Sequence, residues 1–483
     1  MSTIHDQAMN YVYQQVLQRL LSFFSRAERT ALQLLIQRLA VAAGGMDRIG
    51  SFKVLVVQSG TRDSCYTLAL MRAAQLSIAG RAPATFQLRV ATLRRNGIGA
   101  PAMHNMHRSY SALFLYDDPR VELLMVDHRE VLPFDEQAPV SDDGSEANRI
   151  SQLLMGHRRA RNEGLELWDD VYLSTAEFYG QVARWNNGVD ALVASEPLQR
   201  QRHFLDGLNR AVQKAGIGAL PPSAASFDDL FPILDGLGGD VYRQFYTDGE
   251  LMPWRPVGQF EACRRTSFID IHDMVVGKLE ERWPLFTDFL GFHAEEMALH
   301  LGENEYIDPL LAAHLRGLQA RLIEGRAYED GVSQYLQDCL ATLHRKQVPE
   351  PVCERLLETL GNLRDHEESR TQMAQYLQQT FGLSEAQMVC LMFAPFVDNG
   401  AGLERFLRHC HPGMLVAMPD LHRAMQGLHA PEQVLHWMTD VSGLPVKLIG
   451  RLYAMSKPDM SGAAPESDFD EADAVADDRS AEG

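Results

Sequence analysis

Residues 53–79, KVLVVQSGTRDSCYTLALMRAAQLSIA, constrain the fold more than any other stretch of this chain. Lys53 to Gln58 reads as a strand, and its continuous aliphatic run suits one covered on both faces, as in a parallel sheet. Ser59 to Ser64 forms a tight polar loop, and an apolar helical stripe runs from Ser64 to Ala79. A strand-loop-helix junction gathers unpaired backbone N–H groups and the positive end of a helix dipole at one point. That point suits an anion, which in α/β enzymes is usually a phosphate.

The pattern changes on either side of this junction. Upstream, Val12, Val16, Leu20, Phe23, Phe24, Leu32, Leu35 and Leu39 fall at helical spacing, giving one long helix or two shorter ones over 5–43. GGMDRIGS, at 44–51, ends that stretch. Downstream, 83–95 reads as a second strand, NGIGAP as a turn, His104 to Tyr116 as a helix, DDPR as a turn and 121–127 as a third strand. A polar linker is expected at 139–149 and a helical region at 150–186. VDALVAS (189–195) then reads as a fourth strand, with a helix after it. Strands and helices in this order imply right-handed crossovers and a doubly wound, Rossmann-like parallel sheet.

Residues 216–262 are rich in Gly and Pro and read as irregular connections with a short strand or two. From about Thr266 to Met455 the pattern is almost wholly helical, with no fixed repeat. The expected organisation is α/β plus all-α. It comprises an N-terminal helical segment (1–48), an α/β domain (49–262), a helical domain (263–460) and an acidic tail (461–483). The last 19 residues carry eight acidic side chains against one Arg, so disorder is expected there.

The chain has 483 residues, 46% hydrophobic and 23% charged, which fits a soluble globular protein with a sizeable core. Its formal net charge of −19 repels phosphates and disfavours nucleic acid as a partner. No apolar run approaches the length of a membrane helix, and the N-terminus lacks the features of a signal peptide. The six cysteines are scattered without a CxxC pair, which argues for reduced thiols in a cytoplasmic protein and against a thiolate zinc site.

A strand followed by Ser59, Gly60, Asp63 and Ser64 in S-G-x-x-D-S order, and then by a helix, resembles the PP-loop ATP pyrophosphatases, whose signature is S-G-G-x-D-S. That family includes tRNA-modifying ligases, GMP synthetase, NAD synthetase, asparagine synthetase and deazaguanine synthases. The resemblance covers about residues 50–215. It implies ATP and Mg²⁺ as cofactors and activation of a carbonyl or carboxylate by adenylation with release of pyrophosphate. Ser59, Gly60, Thr61, Asp63 and Ser64 would then hold the pyrophosphate, with Asp63 also on the metal. A glycine lets backbone approach phosphate, and hydroxyls and helix N–H groups donate to its oxygens. The sequence departs from the family at Thr61, where the second glycine stands, and at Ala194 and Ser195, where Thr-Gly is usual. It also has no four-cysteine cluster of the deazaguanine kind.

Other clusters are assigned more plainly. Arg200 and Arg202 follow the fourth strand and are candidates for gripping a phosphate or carboxylate, and Arg158, Arg159 and Arg161 precede it. Asp127 and His128 end the third strand. Cys65 opens the helix after the loop and reads as core, and Cys263 sits beside two arginines. His409, Cys410 and His411 are adjacent and diverge on a helix, while His293, Glu296 and His300 do not form HExxH. The stripe Leu310, Leu311, His314, Leu315, Leu318, Leu322 reads as helical core, or as a surface for a protein partner or a second copy of the chain. Expected ligands are therefore a small-molecule or protein substrate. The alternative is a non-catalytic assembly protein built on a degenerate nucleotide fold with a helical interaction domain.

Overall fold

The computed structural model describes residues 2–128, 130–158, 169–216, 227–236, 266–275, 282–292, 309–345, 350–365 and 367–456. Arg159, Arg161, Cys263, the His293, Glu296 and His300 set, and the acidic tail lie outside the described residues.

Two helices open the chain, α1 (Ser2–Phe23) and α2 (Arg26–Ala42). They separate at Ser25, whose side chain accepts from the Glu28 N–H while the Glu28 carboxylate accepts from the Ser25 N–H. This reciprocal cap stops one helix and starts the next. The parallel strands are β1 (Lys53–Val57), β2 (Gln87–Arg94), β3 (Val121–Asp127), β5 (Ala191–Ala194) and β6 (Ser267–Asp270). A short antiparallel strand, β4 (Glu130–Pro133), folds back on β3. The six strands lie in the order β4-β3-β2-β1-β5-β6. Val54 pairs Leu88 on one side of β1 and Ala191 on the other, which places β1 at the centre, as its aliphatic sequence requires.

The connecting helices are α3 (Arg62–Ala79), α4 (Ala100–Ala112), α5 (Asp142–His157), α6 (Asp169–Arg184) and α7 (Leu198–Ala215). One face of the sheet, through Val54, Val56, Leu88 and Val90, packs with α1 to α4 and with Leu285, Phe286 and Phe289. The opposite face, through Leu55, Ala91, Leu93 and Val126, packs with α5 to α7. Helices between residues 309 and 454 bury Leu315, Leu391, Phe396 and Leu452 in that same second core. Contact is direct: a Cβ on Gly156 of α5 would lie 3.0 Å from Leu391. Arg149 of α5 donates to the Gly443 carbonyl at 2.9 Å.

Three local features differ from the sequence expectation. The polar stretch at 139–149 is no linker, because α5 begins inside it. Ser141 is its N-cap, accepting from the Gly144 N–H, and Asp142 and Asp143 complement the helix dipole. The sequence reading assigns no element to β4, where Pro133 ends the strand and charges surround it, a pattern suited only to an edge strand. β6 lies inside the stretch from about Thr266 that reads as helical. It is four residues long and is held as a strand by pairing with β5, so the sheet draws a strand from beyond residue 262.

Candidate functional site

In an open parallel sheet, ligands favour the crevice outside the strand carboxyl ends where the strand order reverses. Here the order reverses at β1, which has β2 on one side and β5 on the other. The loop from Gln58 to Ser64 leaves β1 at that point, facing Ser195 to Arg200 after β5. The fold therefore brings together two segments that lie far apart in sequence. Thr67 of α3 donates to the Ser195 hydroxyl at 2.7 Å, and the His272 imidazole Nδ1 lies 3.0 Å from the Ser195 carbonyl.

The loop is tightly knit. Ser59 and Thr61 hydroxyls are 2.9 Å apart, Thr61 reaches the Ser64 hydroxyl at 3.2 Å, and Ser64 donates to the Gln58 side chain at 3.1 Å. The Gln58 amide also donates to the Ser64 carbonyl at 2.6 Å. Gln58 is fully buried and acts as the organiser of the loop. No motif pointed to it; only its place at the end of β1 hinted at its role.

Gly60 has φ +74°. A Cβ there would stand 2.9 Å from the Ala102 Cα and collide with its carbonyl, so the loop backbone and the first turn of α4 touch directly. Glycine is thus required twice over at this position. Thr61, at the second glycine of the resembled signature, is buried and is the N-cap of α3, yet its side chain makes no capping bond. The first-turn N–H groups of α3 are left without a side-chain cap, and such groups favour an anion.

Asp63 lies in the first turn of α3. One carboxylate oxygen is 3.6 Å from Arg200, and the other is 3.8 Å from Arg62 and buried without a hydrogen-bond partner. Arg62 in turn stacks over Trp283, 5.4 Å from the ring centre. Arg200 therefore reaches the loop from α7. Arg202 is exposed two residues on, and at i+2 it projects from another side of that helix. Cys65 is core, its thiol donating to the Gln58 side-chain Oε1 at 3.4 Å.

Other candidates are engaged elsewhere. Asp127 accepts from the Ser141 N–H and hydroxyl at 2.7 and 3.1 Å and so anchors the start of α5, while His128 adopts φ +50° beside it. Arg158 is buried and donates to the Gln213 carbonyl at 2.9 Å, and burial lowers its pKa to about 10. His409 bonds the Arg405 carbonyl at 3.1 Å, and His411 packs edge-on to Trp437.

Comparison of the chain with family models, curated proteins and solved structures returns no match. Among the described residues no group of three or more His, Cys, Asp and Glu comes together as a metal site, and no helix is long and apolar enough to cross a membrane. A magnesium ion carried by a nucleotide needs only one or two protein carboxylates, its phosphates and water supplying the rest. The Asp63 oxygen beside Arg62, which accepts no hydrogen bond among the described residues, fits that requirement.

Proposed function

We propose that the chain is a divergent PP-loop-type enzyme that binds ATP and magnesium at the Ser59–Ser64 loop and activates a carbonyl or carboxylate by adenylation. One observation carries the reading: the loop stands at the point where the strand order reverses, in front of the uncapped N-terminus of α3. Backbone N–H groups there would hold phosphate oxygens. Asp63 would hold the magnesium, which when bound would neutralise phosphate charge. Arg200, drawn in by Asp63, would shift to the phosphate as that charge arrives. Thr67 and Ser195 tie α3 to β5, keeping the two walls of the crevice at a fixed separation.

A second reading is a scaffold with a degenerate loop. It is favoured by the Ser59, Thr61 and Ser64 hydroxyls, which bond one another and would have to be re-aimed to serve a ligand. Calorimetry with ATP and Mg²⁺ separates the two. The enzyme reading requires binding by the wild type, at least a tenfold loss in Asp63→Ala and Arg200→Ala, and release of pyrophosphate rather than orthophosphate. Absence of any ATP-dependent heat in the wild type would leave only the scaffold.

A further inference from the structure

The seam between α3 and α4 lies directly behind the loop. The two helices run side by side, joined at one end by Gly60 against Ala102. At the other end the Arg72 guanidinium donates to the Leu113 and Phe114 carbonyls at 3.1 and 2.9 Å. Between these pins, α4 buries Asn105 and Ser109, one turn apart on a single face, with Tyr110 beside them. Thr92 of β2 is buried on the sheet face shared with Leu88 and Val90, which packs towards the same helices. Burial raises the pKa of the Tyr110 hydroxyl, with smaller contributions from Cys65 and Tyr116, so it stays neutral.

Among the described residues, five polar atoms of these elements have no hydrogen-bond partner: Thr92 Oγ1, Asn105 Oδ1 and Nδ2, Ser109 Oγ and Tyr110 Oη. Folded proteins rarely leave buried polar groups unpaired. Doing so at five atoms would cost as much as a domain's whole net stability. All five are neutral, and they offer both donors and acceptors. A phosphate or metal ion would find no compensating charge among them. A buried water normally has two to four partners, and donors and acceptors of this kind are what it takes.

We propose that the α3–α4 seam is a closed binding site for small neutral hydrogen-bonding groups, with Asn105 at its centre and ordered water as its resident occupant. An amide, hydroxyl or ring nitrogen of a ligand has the same chemistry. It could replace that water if the first turn of α4 lifted away from Gly60. The site does not depend on what the loop binds.

The test is a crystal structure of the full chain, with water residence measured by magnetic relaxation in solution. We expect ordered waters within hydrogen-bond distance of Asn105, Ser109, Tyr110 and Thr92, exchanging slowly. Asn105→Leu should lose that density and the slow component and lower the melting temperature by a few degrees, because Thr92, Ser109 and Tyr110 then lose the water that satisfies them. Thr92→Val is the second probe, should the leucine disturb packing. Soaking with adenosine distinguishes the sources: density for the nucleoside in the seam identifies a ligand group as the final occupant, and retained waters identify solvent. Empty space between these side chains, or side chains rotated onto one another or onto backbone, would overturn the proposal.

Discussion

The α/β part of the molecule and the helices of 309–456 are closed by different chemistry. The α/β part buries Arg72, Arg89, Arg95, Asp118, Asp169, Asp170 and Lys214, and pairs them: Arg72 with Asp118 at 2.8 Å, Arg89 with Glu122 at 2.7 Å, Arg95 with Asp170 at 2.9 Å and Lys214 with Asp169. Among the described residues of 309–456 the buried polar side chains are His314 and Ser442, and the rest of that interior is hydrophobic. Paired charges are directional and fail badly when one partner is removed. Hydrophobic packing is forgiving of shape and fails in proportion to the volume lost. The first region is therefore held in one arrangement around the candidate site, whereas the second chiefly supplies buried area.

The sharpest challenge to this contrast is Arg72→Met. Arg72 satisfies the Asp118 carboxylate and the Leu113 and Phe114 carbonyls, and Phe114 sits at φ +54°, which few residues tolerate. Removing it should cost about 4 kcal/mol in chemical denaturation, as for other broken buried pairs. A loss below about 1 kcal/mol would show that Arg120, 2.6 Å from Asp118, carries the network alone.

Leu391→Ala tests the other region. Leu391 is fully buried against Gly156, where the late helices meet α5. A loss of about 3 kcal/mol is expected. Because sheet and late helices share one core, a single unfolding transition should shift as a whole. Two separate transitions would show that the regions fold independently.

Titration should distinguish the regions by pH. Bonds from Arg120 and the charge of Arg72 outweigh burial and lower the Asp118 pKa to about 2. Its folded value lies below its unfolded one, so its contribution, roughly 2 kcal/mol, is full above about pH 4 and fades as pH falls towards 2. Burial, aided by Arg370, lowers the His314 pKa to about 4, and its imidazole is paired with the Tyr328 hydroxyl at 2.8 Å. Its contribution is full above about pH 6.5 and fades between there and pH 4. Asp118→Asn should flatten the lower limb of a stability–pH curve and His314→Gln the upper one. A curve unchanged by either substitution would break the assignment.

Much of the site's framework was legible in the chain. The run Lys53 to Val57 and the loop after it fall where the period changes, and β3 falls on the residues its aliphatic pattern marks. Ser141 is a capping residue followed by two acids, a readable helix start that the surrounding polarity disguised as linker. β6 was not legible, because four residues such as Ser267 to Asp270 carry too little periodicity to declare a strand. Nor was the role of Gln58, whose importance is a matter of which hydroxyls surround it.

By itself the sequence determined the strand-loop-helix unit at residues 53–79, the alternation that makes a parallel sheet, and the helical character of the second half. Each of these is a short-range pattern, and burial on a fixed period is enough to specify it. Only the tertiary structure decided that β5 would lie beside β1 and so bring Arg200 to Asp63. It likewise decided that α4 would close on Gly60, that the loop hydroxyls would face one another, and that the late helices would share the sheet's core. Those outcomes depend on pairings between residues far apart in the chain. Such pairings are set by competition among many possible partners, and periodicity carries no record of them.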